Sequence, residues 1–227
     1  MTITPGLIVL NPRTIPPALD AIRALRPPAG TAWLTGYTET ELQDGAFHNA
    51  ITQLPDATHI ITISDDCQPT QAAYHAIVAQ LHAQPDHPAT GWCVVDTQPG
   101  QQQTSITEPL RGTKPTPDAY TFLTRPQVLA SAPVVQTGLA SFALTAIPRT
   151  IWTQHPFGCY QPPYPRTEGQ PYGWASDFHL SIRLRDHGIP IHAPTAAECT
   201  HHRADWQQSD PARPLNLLGQ RTTTICR

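Results

Sequence analysis

Short apolar runs alternate with longer amphipathic segments in the N-terminal third of the chain, and this pattern predicts strands separated by helices. The run Thr58–Ile63 has no regular polar alternation, which is typical of a strand buried on both faces of a parallel sheet. A helix is predicted over about Pro16–Leu25, with Ala18, Ile22 and Leu25 on one face. This repetition favours a single-domain, open, mostly parallel α/β sheet flanked by helices, whose ligands bind at the carboxyl ends of the strands.

The rest of the chain yields further elements by the same reasoning. The other predicted strands are Leu7–Leu10, Thr31–Thr35, Gly91–Val95, Gln136–Ile147 and Ile189–Ala193. The other predicted helices are Ala46–Leu54, Ala72–Leu81 and Trp174–Asp186, the last ended by Gly188. Gln101–Thr116, rich in Gln, Thr and Pro, predicts an exposed loop. The small residues Gly138, Ala140 and Ser141 would let a ligand approach the backbone closely.

Length and charge narrow the class of protein. The chain has 227 residues, enough for one α/β domain with a sizeable core, and we expect a single domain over 1–227 with 204–227 as a C-terminal extension. Its formal net charge of −3 and its single lysine, Lys114, argue weakly against a duplex-binding protein, although the arginines could form a local basic patch.

Cysteine usage and hydropathy bear on the compartment. The five cysteines are an odd number, widely spaced and without a Cys-x-x-Cys pair, which favours reduced thiols. The N-terminus shows no basic segment followed by a long apolar core, and no run approaches the roughly 20 apolar residues of a membrane span. We therefore expect a cytoplasmic protein without a membrane span.

Two adjacent carboxylates, Asp65 and Asp66, follow the predicted strand Thr58–Ile63 after a single residue, Ser64. Like charges this close repel each other unless a cation or strong donors offset them, so the pair suggests Mg²⁺ or Mn²⁺. The alternative is that the two residues form a turn and cap the helix that begins near Thr70.

With these segments in order, residues 5–203 resemble the glycosyltransferase family 2 type of GT-A nucleotide-sugar transferase. Ile61–Pro69 resembles the family's strand that ends in an Asp-x-Asp-like motif with a trailing proline. Thr137–Arg149 is similar to its Gly-rich acceptor-side strand, which ends in an arginine. Ser176–His202 resembles its Glu-Asp-x-x-Leu-x-x-Arg helix, Gly turn, strand and terminal histidine.

The resemblance implies a metal site. Asp66 would ligate the ion directly, and Asp65 would meet the ribose or share the metal through water. His201 would be the second protein ligand, and its imidazole suits Mn²⁺ better than Mg²⁺. The alternative for His201 and its neighbour His202 is a polar surface turn. Cys199 raises the question of zinc, but the sequence has no second ligand pair of matching spacing.

The resemblance also implies a catalytic base and binding residues. Asp177 would be the general base, with an acid stabilised by its helix N-terminus as the alternative reading. Asn11 and Arg13, in the turn after the first strand, lie where relatives hold the nucleotide, although Arg13 could also be solvated. Asn49, in a Phe-His-Asn-Ala segment similar to the family's Arg-Asn helix, belongs to the same nucleotide side.

The acceptor side is implied by two further residues. Gly138 would line it, and Trp174 could stack on a sugar or base, although an interior role is commoner for tryptophan. The predicted activity is a metal-dependent, inverting transfer of sugar from a UDP- or GDP-sugar to a hydroxyl of a glycan, a protein or a hydroxymethylated nucleobase in DNA. The short, isolated chain would suit a phage or accessory enzyme.

Two alternatives remain. A non-catalytic nucleotide- or carbohydrate-binding module is favoured by Ser64 and Ser176, which replace acids of the family's pattern. A nucleotidyltransferase would need a Gly-rich phosphate loop with Lys or Arg after the first strand, and Leu7–Thr14 has none.

Overall fold

The structure of the protein is a computed structural model that describes residues 2–10, 15–34, 49–95, 102–109, 120–154 and 176–202. The strands are β1 (Pro5–Leu10), β2 (Thr31–Leu34), β3 (His59–Ser64), β4 (Cys67–Gln68), β5 (Ala89–Thr90), β6 (Trp92–Cys93), β7 (Gln103–Thr107), β8 (Phe122–Thr124), β9 (Val134–Thr137), β10 (Thr145–Pro148), β11 (Ile191–Pro194) and β12 (Glu198–His201). The helices are α1 (Pro16–Ala24), α2 (Gln71–Ala83), α3 (Arg125–Ala130), α4 (Arg149–Gln154) and α5 (Ser176–Asp186), and residues 49–52 are also helical.

Seven strands form the central sheet, in the order β2-β1-β3-β10-β5-β11-β9. β1 is parallel to β2 and β3, while β10 is antiparallel to both β3 and β5. β11 is parallel to β5 and antiparallel to β9. Five strands therefore run in one direction, and the predicted mostly parallel α/β fold is confirmed. Two smaller sheets, β4-β12-β6 and β7-β8, flank it.

Alternation along the central strands sends apolar side chains to both faces of the sheet. On one face, Leu7 and Ile61 belong to a cluster that includes Ile22 of α1 and Ile77 of α2. On the other face, a second cluster joins Ile8 and Ile60 of the sheet to helical residues. Those helical residues are Ala50, Ile51, Ile151, Trp152, Leu180 and Leu184. Helices thus cover both faces, as an open sheet with buried strands requires.

Three sequence predictions were wrong in detail. The predicted strand Gly91–Val95 begins earlier and is broken at Gly91, which lies between β5 and β6. A Cβ on Gly91 would lie 3.0 Å from the carbonyl oxygen of Ala197 and 3.0 Å from Leu144 Cβ. The chain can therefore pass from the central sheet to the small one only because this residue has no side chain.

The predicted strand Gln136–Ile147 is two strands, β9 and β10, joined by a connection over residues 138–144. The predicted loop Gln101–Thr116 contains β7, whose Thr104, Ser105 and Thr107 are buried. These buried hydroxyl groups are hydrogen-bonded, which offsets the free-energy cost of removing them from water. Ser105 Oγ, for example, accepts a hydrogen bond from Cys93 N at 3.1 Å.

Among the described residues, no helix has the length and hydropathy needed to cross a membrane.

Candidate metal and catalytic site

The turn Asp65-Asp66 leaves the carboxyl end of β3, which pairs level with the end of β1 through Ser64 and Leu10. Asp65 is fully buried and Asp66 is 7% exposed. The pair does form a turn, but Thr70 caps α2, because its side chain accepts a hydrogen bond from Ala73 N at 2.9 Å. The two carboxylates are therefore not needed to start that helix.

β12 brings a histidine to this turn. It pairs antiparallel with β4, with His201 opposite Cys67 and Thr200 opposite Gln68. Residues directly opposite in an antiparallel pair have neighbouring side chains on one face of the ladder. His202 N also donates to the carbonyl of Asp66 at 2.9 Å, which ties the end of β12 to the turn.

Three potential ligand atoms converge here. His201 Nε2 lies 3.3 Å from Asp66 Oδ2, and the Cys67 thiol donates to Asp66 Oδ1 across 3.6 Å. Each of the three residues offers one ligand atom, and these atoms all lie within 4.8 Å of one another. The side chains of His201 and Asp66 are only 13% and 10% exposed. A carboxylate, an imidazole and a thiol in such a group fit a divalent transition-metal ion.

The pKa values of the thiols near the site are shifted in different directions. A hydrogen bond to Cys93 and burial raise the pKa of Cys67 above its ordinary value, and nearby Asp66 adds to this. The same hydrogen bond lowers the pKa of Cys93 despite its burial. Burial raises the pKa of Cys199. These three described cysteines are free thiols, and Cys67 carries a proton that a metal ion would have to displace.

His202 is directed elsewhere. Its Nε2 is 2.8 Å from Gln68 Oε1, so its imidazole contacts β4 beyond the three-residue group. The two adjacent histidines are therefore not equivalent, and neither forms the surface turn considered from sequence, since His201 ends a strand.

Asp177 lies in the first turn of α5 and is half-buried. Burial raises the pKa of its carboxyl group to about 6, although Phe178 N donates to Oδ1 at 2.9 Å and opposes the shift. A carboxylate of this basicity is better suited to accept a proton near neutral pH than an ordinary aspartate.

The connection 138–144 is hydrogen-bonded to α5 and to the last residue of β3. Ser181 Oγ donates to the carbonyl of Asp177 at 2.6 Å and accepts from Ala140 N at 2.9 Å. Two residues further along, the carbonyl of Phe142 accepts from Ser64 N at 2.8 Å. The middle of α5, through Ser181, and the end of β3, through Ser64, are therefore both bonded to the same short segment.

The remaining predicted site residues are placed as follows. Gly138 begins the 138–144 connection and is half-buried. Asn49 is exposed at the start of helical residues 49–52, where its carbonyl accepts from Thr52 Oγ1 at 2.6 Å. Asn11, Arg13 and Trp174 lie outside the described residues.

Cys67 was not among the site residues predicted from the sequence. The spacing of cysteines in the sequence suggested Cys199 alone as a possible sulfur ligand, whereas the structure groups Cys67 with Asp66 and His201. The available signal was its position next to Asp66, on a short strand that could pair with the segment carrying His201.

Comparisons with known proteins bear on the fold. No protein-family model and no curated protein sequence matches the chain. Its fold is similar to the crystal structure of GalNAc-T7 with UDP, GalNAc and Mn²⁺, with a TM-score of 0.55 and 10% identity, over 88% of this chain and 44% of that one. It is also similar to A197 from STIV, with a TM-score of 0.53 and 9% identity, over 88% of this chain and 85% of that one.

These likenesses show that the fold is GT-A-like. The chain spans less than half the length of GalNAc-T7.

Proposed function

We propose that the protein is a metal-dependent glycosyltransferase of the family 2 type, which moves a sugar from a nucleoside-diphosphate donor to an acceptor hydroxyl. The observation that carries the proposal is the group formed by Asp66, Cys67 and His201 at the carboxyl end of β3 in a GT-A-like fold. This is the edge at which an open α/β sheet binds its ligands.

The structural neighbour supports the donor class. GalNAc-T7 has been crystallised with UDP, GalNAc and Mn²⁺, a set that contains a nucleoside diphosphate, a sugar and a divalent cation. A UDP- or GDP-sugar is therefore the proposed donor of this chain. Asn11, Arg13 and Asn49 are the proposed nucleotide-side residues, together with Asp65.

Asp66 and His201 are the residues that would hold the cation. When bound, a divalent ion neutralises charge that develops on the leaving diphosphate. The buried turn holds Asp66 in place through the hydrogen bond from His202 N, and the β4–β12 ladder fixes His201 beside it. Asp65, fully buried in the same turn, would meet the ribose or share the metal through water.

Asp177 is the proposed base. Its carboxylate would take the proton of the acceptor hydroxyl as the acceptor oxygen bonds to the anomeric carbon and the bond to the diphosphate oxygen breaks. Attack from the side opposite the leaving group inverts the configuration at that carbon. Gly138 and Trp174 are the proposed acceptor-side residues, and the acceptor class is a glycan, a protein or a hydroxymethylated nucleobase in DNA.

The test is a screen of UDP- and GDP-sugars for metal-dependent hydrolysis and for transfer to hydroxyl-bearing acceptors. We expect one donor class to be consumed, with an inverted anomeric centre in the product. Asp66→Ala should abolish this turnover and leave the fold intact, because it removes one of two adjacent carboxylates. Asp56→Ala, at an exposed acid in another turn, is the matched control and should retain full turnover.

Full turnover by Asp66→Ala would overturn the metal assignment. Metal-dependent UDP binding by the wild type, without consumption of any donor, would instead indicate the non-catalytic module that Ser64 and Ser176 suggest.

A further inference from the structure

Cys67 adds a sulfur donor to the carboxylate and imidazole of the candidate metal site. We propose that Cys67 is a third protein ligand and that the site selects a thiophilic divalent ion of the Zn²⁺ and Co²⁺ type over Mg²⁺. This inference deepens the proposed function and rests on it for the purpose of the site, because it names the class of ion that the transferase would use.

The geometry of the carboxylate supports three-residue ligation. Asp66 Oδ2 faces His201 Nε2 at 3.3 Å and Oδ1 faces Cys67 Sγ at 3.6 Å. Tetrahedral coordination with metal–ligand distances of about 2.0 to 2.3 Å places ligand atoms roughly 3.3 to 3.8 Å apart. Both separations, each to a different oxygen of Asp66, fall in that range, and the three ligand atoms all lie within 4.8 Å of one another. The three side chains are therefore close enough together to share one ion.

The backbone fixes two of the three ligands independently of any ion. Cys67 and His201 are opposite each other in the β4–β12 ladder, so their side chains emerge on the same face. The third ligand, Asp66, lies in the turn immediately before Cys67 in the chain. Among the described residues, the group of ligand atoms includes Cys67 but neither Cys93 nor Cys199.

The chemistry of the donors selects the ion. Thiolate is a soft ligand suited to zinc and related transition metals, whereas Mg²⁺ favours oxygen ligands. On binding, the S–H bond of Cys67 breaks, the sulfur bonds to the metal and the proton passes to solvent. One carboxylate and one thiolate then balance the charge of the ion. A fourth position stays open for an oxygen of the donor, as in metal sites with three protein ligands.

Cobalt titration of the full-length protein without nucleotide tests the proposal. Co²⁺ bound through sulfur gives a thiolate-to-metal charge-transfer band in the near ultraviolet, which carboxylate and imidazole ligands alone do not give. We expect this band in the wild type and its loss in Cys67→Ser. We also expect Cys67→Ser to weaken Co²⁺ and Zn²⁺ binding by at least about 10–100-fold, with a much smaller effect on Mg²⁺.

Cys93→Ser and Cys199→Ser are the matched controls, since both residues are buried thiols near the site. Both variants should keep the band. A wild-type protein that binds Co²⁺ without the band overturns the proposal whether or not any variant folds. Loss of the band in Cys93→Ser, with retention in Cys67→Ser, also overturns it.

The outcomes of these experiments distinguish sulfur ligation by Cys67 from the proposed transferase activity. A band in the wild type with no effect of any nucleotide sugar would support sulfur ligation and count against the transferase. Metal-dependent donor consumption without the band would support the transferase and reject Cys67 as a ligand.

Discussion

At the scale of single residues, neighbours in sequence have different surroundings. His201 lies 3.3 Å from Asp66, whereas His202 contacts Gln68. Asp177 and Asp186 both belong to α5, but Asp177 is half-buried in its first turn and Asp186 is exposed at its end. Each pair therefore offers a site residue together with its own matched control.

Asp177→Asn preserves the shape of the side chain and removes its basicity. If Asp177 accepts the acceptor's proton in the transition state, the variant should lower kcat by roughly 10²–10⁴-fold and leave donor affinity near that of the wild type. Steady-state kinetics with the verified donor and acceptor checks this. Asp186→Asn should retain wild-type kcat, and an equal rate for Asp177→Asn would exclude it as the base.

The same residue predicts the pH dependence of activity. The base acts when deprotonated, and burial raises its pKa to about 6. We therefore expect kcat/KM to be level above this pH and to fall about tenfold per pH unit below it. A profile measured on the free enzyme should lose this inflection in Asp177→Asn. An inflection that persists in the variant would belong to another group.

The two histidines predict a difference in metal affinity. His201→Ala removes a proposed ligand, whereas His202→Ala removes a contact to Gln68 outside the group. We expect His201→Ala to lose affinity for Mn²⁺ or Co²⁺ by more than the roughly 10–100-fold typical of lost outer contacts, and His202→Ala to lose less. Calorimetric titration measures both, and equal affinities would show that neither histidine is correctly assigned.

At the scale of elements, Arg149 shows how a residue of a family-like segment can serve the fold. It follows β10, where the resemblance places the arginine that ends the acceptor-side strand. Its Nη1 donates to the carbonyl of Leu54 at 2.6 Å, and the carbonyls of Ala57 and Ile51 are within 3.5 Å of the guanidinium. The cation thus satisfies carbonyls at the end of helical residues 49–52 and in the segment that follows them.

Arg149→Ala should therefore destabilise the protein by roughly 1–3 kcal/mol, the cost of leaving partly buried carbonyls without their charged donor. Urea unfolding measures the change. Arg23→Ala is the control, because Arg23 pairs with Asp20 on the exposed side of α1 and a surface pair contributes about 0–1 kcal/mol. Unchanged stability with lost nucleotide binding would instead place Arg149 in the site.

The sequence predicted those elements whose pattern of apolar residues matches the burial of the same residues in the structure. β3 and α2 are such elements, because one is a continuous apolar run and the other begins at a capping threonine. It failed at β7, where buried Thr and Ser pair their hydroxyls with distant partners such as Cys93 N. Pairing of that kind is a property of tertiary structure, and composition alone indicates a loop.

The candidate site was predictable to a similar extent. The acid pair stands out locally, but His201 was linked to it only through the family resemblance, since 134 residues separate His201 from Cys67, its partner across the ladder. Cys67 was missed because its grouping depends on the register of β4 and β12.

At the scale of the whole molecule, β12 joins the candidate site to the rest of the fold. It pairs with β4 on one side and with β6 on the other, and β6 continues from β5 of the central sheet through Gly91. The position of His201 relative to Asp66 therefore depends on correct assembly of the central sheet. A ligand that bridges β3 and β12 should stabilise the folded state as a whole.

This coupling gives the last prediction. A ligand that binds only the native state at 100 times its Kd contributes about 2.7 kcal/mol, and each kcal/mol raises the Tm of a chain of this size by roughly 2–4 °C. We therefore expect UDP or GDP with Mn²⁺ to raise the Tm by about 5–10 °C at that saturation.

The nucleoside without its diphosphate should give little shift, because it lacks the charge that the ion neutralises. EDTA should abolish the shift, and so should Asp66→Ala, whereas Asp56→Ala should keep it. Equal shifts with and without metal would mean that the nucleotide binds away from Asp66 and His201.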